Sequence, residues 1–210
     1  MKMSLLKIYM DDVLPVGLRQ FDYDLFSKMN GRWHNSFLDT IFPFIREPFV
    51  WMPFYFFMVL FVVLNFKLKG WFWVLFLILN VMLSDYVSST LIKDNFIRLR
   101  PCQDVYLADQ IRFLVSYCPS SSSFTSSHAA NHFAAAMFIF TTLKKTVSPK
   151  WAFLFLWAFA ISYAQVYVGV HFPFDIFCGA ILGVILGYIP ATIFNKRIGL
   201  EPQIENHNHG

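Results

Sequence analysis

Charged side chains are scarce in this chain of 210 residues: Asp, Glu, Lys and Arg together make up 14% of it. A soluble domain usually carries about a quarter charged residues. Apolar residues, in contrast, make up 57%, and Phe alone occurs 26 times. The composition therefore argues against an ordinary soluble domain and indicates that lipid surrounds much of the folded chain.

A basic stripe and a signal peptide are both missing. The formal net charge of +4 is modest, and the Lys and Arg residues lie near the ends of apolar runs, so we do not expect nucleic-acid binding. The first 46 residues lack a basic start followed by an apolar stretch, so we expect no cleavable signal peptide in them. The first span is then expected to direct insertion into the membrane.

Cysteine is rare, and its three occurrences show no metal-ligand spacing. No carboxylate cluster suggests a metal either, so we expect neither a metal nor another cofactor. Cys178 lies in an apolar run, which is typical of a small buried side chain. Cys102 and Cys118 share one polar loop. The sequence does not decide whether they are two free thiols or form a disulfide. If the loop faces an oxidising compartment, a disulfide closing its roughly 15 residues would contribute about 3 kcal/mol.

Long apolar runs are the main feature that is present. They predict spans at about 48–66, 71–92, 129–143, 151–170 and 175–195, each near the ~20 residues that a bilayer requires. We therefore predict one all-α domain over residues 1–210, a polytopic membrane helical bundle of about five transmembrane helices. The sequence leaves the oligomeric state open.

Residues 1–46 precede the first span and have a different pattern. Leu14, Leu18, Phe21 and Leu25 recur at helical spacing among polar residues. This pattern predicts an N-terminal interfacial amphipathic helix that lies along the membrane surface. An ordinary packed helix in a small cap explains it equally well, and both alternatives stay open.

The last predicted span carries Gly179, Gly183 and Gly187 at a spacing of four, followed by Pro190. Small residues at this spacing let a second helix approach closely, so we predict a helix-packing face. Pro190 lies late in the span, at a position where proline can kink a helix.

Basic residues distinguish the two sides of the predicted bundle. One side has short loops rich in Lys and Arg, at Lys67, Lys69, Lys144, Lys145, Lys150, Lys196 and Arg197. By the positive-inside rule this side is cytoplasmic. The 93–127 loop and the 171–174 turn then face outward, toward the periplasm or exterior of a bacterial inner (plasma) membrane.

Three polar clusters lie at the ends of the predicted spans, where charges are costly and usually functional. In the first cluster Lys93 and Arg100 are seven residues apart, followed by Pro101, which predicts that both cations project from one helix face. Two converging cations can neutralise a phosphate dianion. Ordinary snorkelling at the membrane surface is the alternative, and it is how we interpret Arg98.

The second cluster, Ser126, Ser127 and His128, precedes the third span. A helix should begin there, so free backbone N–H groups and two hydroxyls predict an anion-binding site. A helix cap by Thr125 or Ser126 is a compatible alternative. His132, one turn further on, is interpreted as structural.

The third cluster contains His171 and Asp175, four residues apart at the start of the last span. This spacing predicts that both side chains share one helix face. A carboxylate bonded to one imidazole nitrogen leaves the other nitrogen free to attack. With His128 as proton donor, these residues suit covalent phosphoryl transfer without a metal.

The order of the motifs is distinctive: Lys-x6-Arg-Pro, then Ser-x-His, then His-x3-Asp preceded by Tyr-Val-Gly-Val at 167–170. This order resembles the type 2 phosphatidic acid phosphatase (PAP2) superfamily over residues 93–175. The resemblance implies a helical bundle with a metal-free site at the membrane surface, and substrates that are lipid phosphates.

The resemblance also implies a role for each motif residue. His171 would be the nucleophile that forms a phosphohistidine, Asp175 would orient it, and His128 would protonate the leaving oxygen. The groups expected to hold the phosphoryl oxygens are Lys93, Arg100, Ser126, Ser127 and Gln165.

Two departures from the family pattern concern the anion-binding groups. The second motif usually reads Pro-Ser-Gly-His, whereas this chain has Thr-Ser-Ser-His at 125–128. The third motif usually opens Ser-Arg, whereas this chain has Ala164 and Gln165. Losing one charge-assisted contact costs roughly 1.5–3 kcal/mol, or about 10- to 150-fold in rate. Arg98 and Arg112 are candidates for a compensating cation.

The main hypothesis is therefore an integral membrane phosphatase that hydrolyses a lipid phosphate or diphosphate at the outer membrane face. Candidate substrates are polyprenyl diphosphate, phosphatidylglycerol phosphate, phosphatidic acid and lipid A phosphate. The alternative is a weakened homologue that binds phospholipid headgroups without turnover. A small transporter is a third possibility, but the charges cluster at one face rather than at the midplane. Only Asp85 is expected to be well buried, supporting its helix end.

Overall fold

A computed structural model describes residues 7–200, so the first six residues of the N-terminal segment and the last ten of the chain lie outside it. The elements are β1 (Ile8–Tyr9), α1 (Met10–Val13), α2 (Val16–Phe26), α3 (Ser36–Ile45), α4 (Met52–Asp85), β2 (Phe96–Ile97), α5 (Ser127–Leu143), α6 (Phe153–Tyr167) and α7 (Pro173–Arg197). Single π-helical stretches extend α2 through Ser27–Arg32 and α4 through Tyr86–Ile92. The chain is mostly helical, as predicted.

The short parallel pairing of β1 with β2 was not predicted. Ile8 is in register with Phe96, and Tyr9 with Ile97. The pairing joins the start of the chain to the segment between Lys93 and Arg100, so the N-terminal residues lie beside the first motif.

The long helix α4 is broken at Lys67, which has a left-handed φ of 51°. Two helical stretches therefore replace one straight helix, at the positions of the first two predicted spans. The stretches Pro48–Ile92 and Pro173–Arg197 are long and apolar enough to cross a membrane. α5 and α6 coincide with the third and fourth predicted spans, and the number of crossings stays a prediction.

The glycines of α7 form a close contact with α5, as predicted. A Cβ added at Gly179 would lie 2.6 Å from the Ser126 carbonyl oxygen. Gly183 and Gly187 lie equally tightly against the carbonyls of Ala130 and Ala134. Only hydrogen fits at these positions, so the sequence of α7 fixes its distance from α5. α7 continues through Pro190 to Arg197.

The main apolar core lies between α4, α5, α6 and α7. Trp73, Phe138, Phe194 and Leu154 are fully buried in it. The Trp73 indole N–H donates to the Thr142 hydroxyl at 2.7 Å, so the polar edge of this large side chain is satisfied.

A second apolar cluster packs the N-terminal segment against the motif-bearing part of the chain. Phe26 of α2 is buried against Phe172, with ring centroids 5.4 Å apart. Asp39 of α3 binds Arg112 at 2.7 Å and accepts from the Tyr167 hydroxyl at 2.6 Å. These contacts favour the packed-cap interpretation of residues 7–46, and placement along the membrane surface stays a prediction.

The loop between β2 and α5 is closed by a disulfide between Cys102 and Cys118, whose Cα atoms are 6.0 Å apart. Of the two alternatives that the sequence left open, the disulfide is the one present. The closed loop returns the chain to Ser121 and Ser122, which contact Arg100. It therefore holds the first motif close to the start of α5.

Candidate active site

His171 is placed by a tight turn between α6 and α7. Gly169 has a φ of +88°, which suits glycine, and the His171 backbone N–H donates to the Gln165 carbonyl at 3.2 Å. Pro173 then begins α7. His171 therefore precedes the helix, and the prediction that it shares a helix face with Asp175 is wrong in this detail.

Asp175 nevertheless lies beside His171, as the spacing of the third motif predicts. The carboxylate accepts the Phe172 backbone N–H at 3.0 Å, which caps the start of α7. The same oxygen, Oδ2, is 3.7 Å from His171 Nδ1. The Ser123 hydroxyl donates to this oxygen at 2.5 Å and lies 3.3 Å from His171 Nδ1. All three side chains are buried.

The opposite ring nitrogen, His171 Nε2, faces Arg100 at 3.1 Å. The partners assign the proton to Nδ1, beside the carboxylate, and leave the Nε2 lone pair toward the guanidinium. Burial, and after it the nearby Arg100 charge, lowers the pKa of His171 to about 3, although Asp175 opposes this change. The imidazole is therefore neutral near pH 7, as a nucleophile requires.

Arg100 lies in a loop and not on the helix face that its spacing from Lys93 predicted. The helical stretch ends at Ile92 and the chain forms β2 before Arg100. The Arg100 guanidinium donates to the carbonyls of Ser121 and Val170, both at 2.9 Å. These bonds hold the cation against His171, so the two motifs meet although the predicted reason was wrong.

Lys93 lies directly after the helical stretch and is half-buried. Burial lowers the pKa of Lys93 to about 8, and the charge of Arg100 adds to this effect, whereas Asp175 and Asp85 oppose it. The ammonium is therefore charged near pH 7 and close enough to Arg100 to be repelled by it. The two cations therefore lie within electrostatic range of each other, and their convergence on one phosphate stays a prediction.

The interpretation of Arg98 as a cation that snorkels to the membrane surface is wrong. Its guanidinium is fully buried and donates to Asp175 Oδ1 at 2.7 Å and to Asp22 Oδ2 at 2.6 Å. The Phe172 ring lies beneath it at 4.2 Å. Burial opposes the charge, but the two carboxylates outweigh burial and raise the pKa of Arg98. Arg98 therefore holds the Asp175 carboxylate in place.

The second motif caps α5, and the compatible cap alternative is confirmed. The Ser126 hydroxyl accepts the Ala129 backbone N–H at 3.4 Å, and the Ser126 N–H donates to the Asp175 carbonyl at 3.2 Å. The start of α5 is thus tied to the start of α7. The Ser127 hydroxyl is buried and has no partner within residues 7–200.

His128 lies in the first turn of α5, just before the predicted span. Burial lowers the pKa of His128 well below its ordinary value, and the charges of His132 and His171 lower it further. The His128 carbonyl is bonded to His132 Nδ1 at 2.7 Å. His132 is buried against Trp157, which agrees with its structural interpretation.

Gln165 is buried, and neither polar atom of its amide has a partner within the described part of the chain. An unsatisfied buried amide is costly, so this side chain has hydrogen-bonding capacity that the described residues do not use. Arg112 does not compensate for it, because Arg112 binds Asp39 and the Asn30 carbonyl instead. Arg98 is likewise occupied by carboxylates.

A cavity of about 610 Å³ opens beside His128, between the two halves of α4, α5 and Trp157. Most of its lining residues are apolar, among them Met58, Val74, Leu77 and Ile139. Asp85 at its rim is exposed and accepts from Asn131 at 2.9 Å. The expectation that Asp85 is well buried is therefore wrong.

Sequence reasoning missed two residues of the site, Asp22 and Ser123. Asp22 is separated from Arg98 by 76 residues and also accepts the Phe174 backbone N–H at 2.8 Å. Ser123 is one of four consecutive serines, and no spacing distinguishes it from its neighbours. The one sequence feature that could have indicated Asp22 is its position as a carboxylate within an apolar helical pattern. Within residues 7–200 no group of three or more His, Cys, Asp or Glu side chains could hold a metal ion.

The sequence of the chain matches a known protein family. The sequence profile described as the PAP2 superfamily matches residues 71–198. The lipid A 4'-phosphatase of Bacteroides thetaiotaomicron is 29% identical over 183 residues, which cover 85% of this chain and 79% of that protein.

Two solved structures are also similar. The crystal structure of Aquifex aeolicus LpxE has a TM-score of 0.63 and 30% identity, covering 82% of this chain and 95% of that one. The transmembrane PAP2 type phosphatidylglycerolphosphate phosphatase of Bacillus subtilis has a TM-score of 0.67 at 20% identity, covering 89% and 90% of the two chains. The second likeness supports the fold alone.

Proposed function

Because the chain belongs to the PAP2 superfamily, we propose that it is an integral membrane phosphatase that hydrolyses a lipid phosphate through a phosphohistidine intermediate. The observation that carries this proposal is the His171 ring, held between Asp175 at 3.7 Å and Arg100 at 3.1 Å. Lipid A phosphate is the first substrate to test, because a lipid A 4'-phosphatase is similar over most of the chain.

In the first step His171 Nε2 attacks phosphorus, the bond from phosphorus to the lipid oxygen breaks, and His128 donates a proton to that oxygen. Burial and neighbouring positive charges lower the pKa of His128, and a bound phosphate dianion would raise it toward the range of a proton donor. In the second step His128 takes a proton from water, the water oxygen attacks phosphorus, and the phosphorus–nitrogen bond breaks. Inorganic phosphate and neutral His171 result.

The phosphoryl oxygens need donors that neutralise their charge. Lys93 and Arg100 supply two cations, the Ser127 hydroxyl and the Gln165 amide have no protein partner in the described chain, and backbone N–H groups at the start of α5 are available. Ser126 supports this site chiefly as the cap of α5.

The cavity beside His128 is assigned to the lipid. Nucleophile and leaving oxygen lie on opposite sides of phosphorus in an in-line displacement. His128 lines the cavity and His171 does not, so the leaving oxygen and its hydrocarbon chain would lie on the cavity side. The apolar lining suits such a chain.

The outward orientation of the site is part of the proposal. The short basic loops predict a cytoplasmic position for the opposite side. The disulfide between Cys102 and Cys118 lies in the site-side loop, and disulfides persist mainly in oxidising compartments. Both observations favour the periplasm or exterior for the site.

The test is phosphate release by purified detergent-solubilised protein from a panel of lipid phosphates in EDTA. The panel contains lipid A, phosphatidic acid, phosphatidylglycerol phosphate and polyprenyl diphosphate. We expect release by the wild type and loss of it in His171→Ala, whereas His34→Ala, at an exposed histidine, should behave as the wild type. No release by the wild type, or full release by His171→Ala, would refute the proposal.

A second candidate is a protein that binds lipid headgroups without turnover. The uncharged Gln165 at the position of the family's usual Arg motivates it. Tight lipid-phosphate binding with no turnover, in both the wild type and Gln165→Arg, would favour this candidate over the phosphatase.

A further inference from the structure

Arg46 is a buried arginine outside all three motifs. It follows α3, its relative exposure is 4%, and it lies before the residues 71–198 that match the family. Buried arginines are normally paired with carboxylates or fully hydrogen-bonded. The two other buried arginines of the site follow this rule: Arg98 has its carboxylates and Arg100 its carbonyls.

Arg46 is the exception among the described residues. Its nearest carboxylate is Glu47, at 3.6 Å, and the Glu47 side chain is about a third exposed (36%). An ion pair of that length with an exposed partner is weak. The Arg46 Nε atom is buried without any partner in residues 7–200. The guanidinium therefore has donors that the protein does not use.

The position of Arg46 connects it to the site. Two residues further on, Pro48 lines the cavity together with Ser127 and His128. The Arg46 charge is close enough to lower the pKa of His128, after burial and the two other histidines. It also acts on Arg100: burial lowers that pKa to about 10, Asp175 opposes the change, and Arg46 adds to it. A third cation therefore lies within electrostatic range of both His128 and Arg100.

We propose that Arg46 binds a phosphoryl oxygen of the substrate and supplies the positive charge that Gln165 lacks. The guanidinium would donate its unused N–H groups to a non-bridging oxygen. The site would then contain three cations, with one contributed by the N-terminal segment instead of the third motif. The inference rests on the proposed function for its substrate, but the binding of inorganic phosphate tests it separately.

The experiment uses the full-length protein in detergent and has two readouts, kcat/KM on the lipid phosphate and the Kd of inorganic phosphate by titration calorimetry. Arg46→Gln should weaken phosphate binding and lower kcat/KM by about 10- to 150-fold, as expected for one charge-assisted contact. Arg46→Lys should recover part of this loss. Arg32→Gln, at an exposed arginine of the same segment, is the matched control and should behave as the wild type.

Charge relocation distinguishes binding from a structural role. In the double variant Arg46→Gln and Gln165→Arg the charge returns to the family's usual position, so phosphate affinity should recover; a merely structural Arg46 predicts no recovery. Wild-type phosphate affinity in Arg46→Gln, or a loss that neither Arg46→Lys nor the double variant recovers, would overturn the inference. Phosphate binding that depends on Arg46 in a wild type without turnover would support the inference and count against the phosphatase proposal alone.

Discussion

The two sides of α5 differ in how they are packed. On one side α7 lies directly on α5, because Gly179, Gly183 and Gly187 have no side chains and sit against the backbone carbonyls of α5. On the other side α4 and α5 leave a cavity of about 610 Å³. The closed side is the contact between α5 and α7, and it holds His171 and Asp175 in fixed geometry. The open side is the cavity between α4 and α5, and His128 lies beside this cavity.

This difference separates two requirements of a lipid phosphatase. A nucleophile must be held within a fraction of an ångström to react efficiently, and dense packing supplies this precision. A long apolar substrate needs volume, which a closed interface cannot offer. Because α5 borders both sides, one helix joins the chemistry to the predicted lipid site.

The largest effect is expected from a substitution that disrupts the contact between α5 and α7 on the closed side. Gly183→Val should prevent folding, because even a Cβ at this position would overlap the Ala130 carbonyl oxygen and overpacking of this kind is strongly destabilising. Size-exclusion chromatography and thermal unfolding in detergent measure the result. Gly17→Val is the matched control, since nothing lies within 4 Å of a Cβ there. A folded, active Gly183→Val protein would contradict the close approach of α5 and α7.

The second largest effect is expected from a substitution that fills the cavity on the open side. Ala135 lines the cavity, so Ala135→Trp should displace about two methylenes of a bound chain, which costs about 1.6 kcal/mol and raises KM for a long-chain lipid phosphate about fifteenfold. A short soluble phosphate ester should be hydrolysed at the wild-type rate. Ala152→Trp, at an exposed alanine, serves as the control. Equal losses on both substrates would contradict the assignment of the cavity to the lipid.

The smallest effect concerns Lys93, a cation at the α4 end of the open side. Burial and the charge of Arg100 lower the pKa of Lys93 to about 8, and an amine loses its charge as pH rises through its pKa. The alkaline limb of kcat/KM should therefore begin near pH 8, with about a tenfold fall by pH 9. Lys93→Arg should shift this limb to higher pH, whereas Lys145→Arg, at an exposed lysine, should leave it in place. An unshifted limb in Lys93→Arg would assign it to another group.

The parts that sequence reasoning predicted correctly rest on local rules. The spacing of four between His171 and Asp175 places them together even though His171 precedes the helix. The glycine spacing predicted a helix-packing face on α7, and the two cysteines of one loop limited the disulfide to one pair. In each case the partners are close in sequence or repeat with the period of a helix.

The parts that it missed depend on contacts between distant segments. Arg98 looked like a surface cation because its partners Asp22 and Asp175 are 76 and 77 residues away. Lys93 and Arg100 converge through β2 and the disulfide-closed loop, and not through the helix face assumed from their spacing. The N-terminal segment contributes Asp22 to the site, and amphipathic periodicity alone does not show what its polar face binds.

The most direct test of the central claim is to identify the residue that carries phosphate during turnover. Rapid quenching at alkaline pH with a lipid phosphate substrate, followed by peptide mass spectrometry, should find phosphate on His171 of the wild type and none in His171→Ala. Phosphate on another residue, or full turnover in a protein whose position 171 is never phosphorylated, would contradict the account.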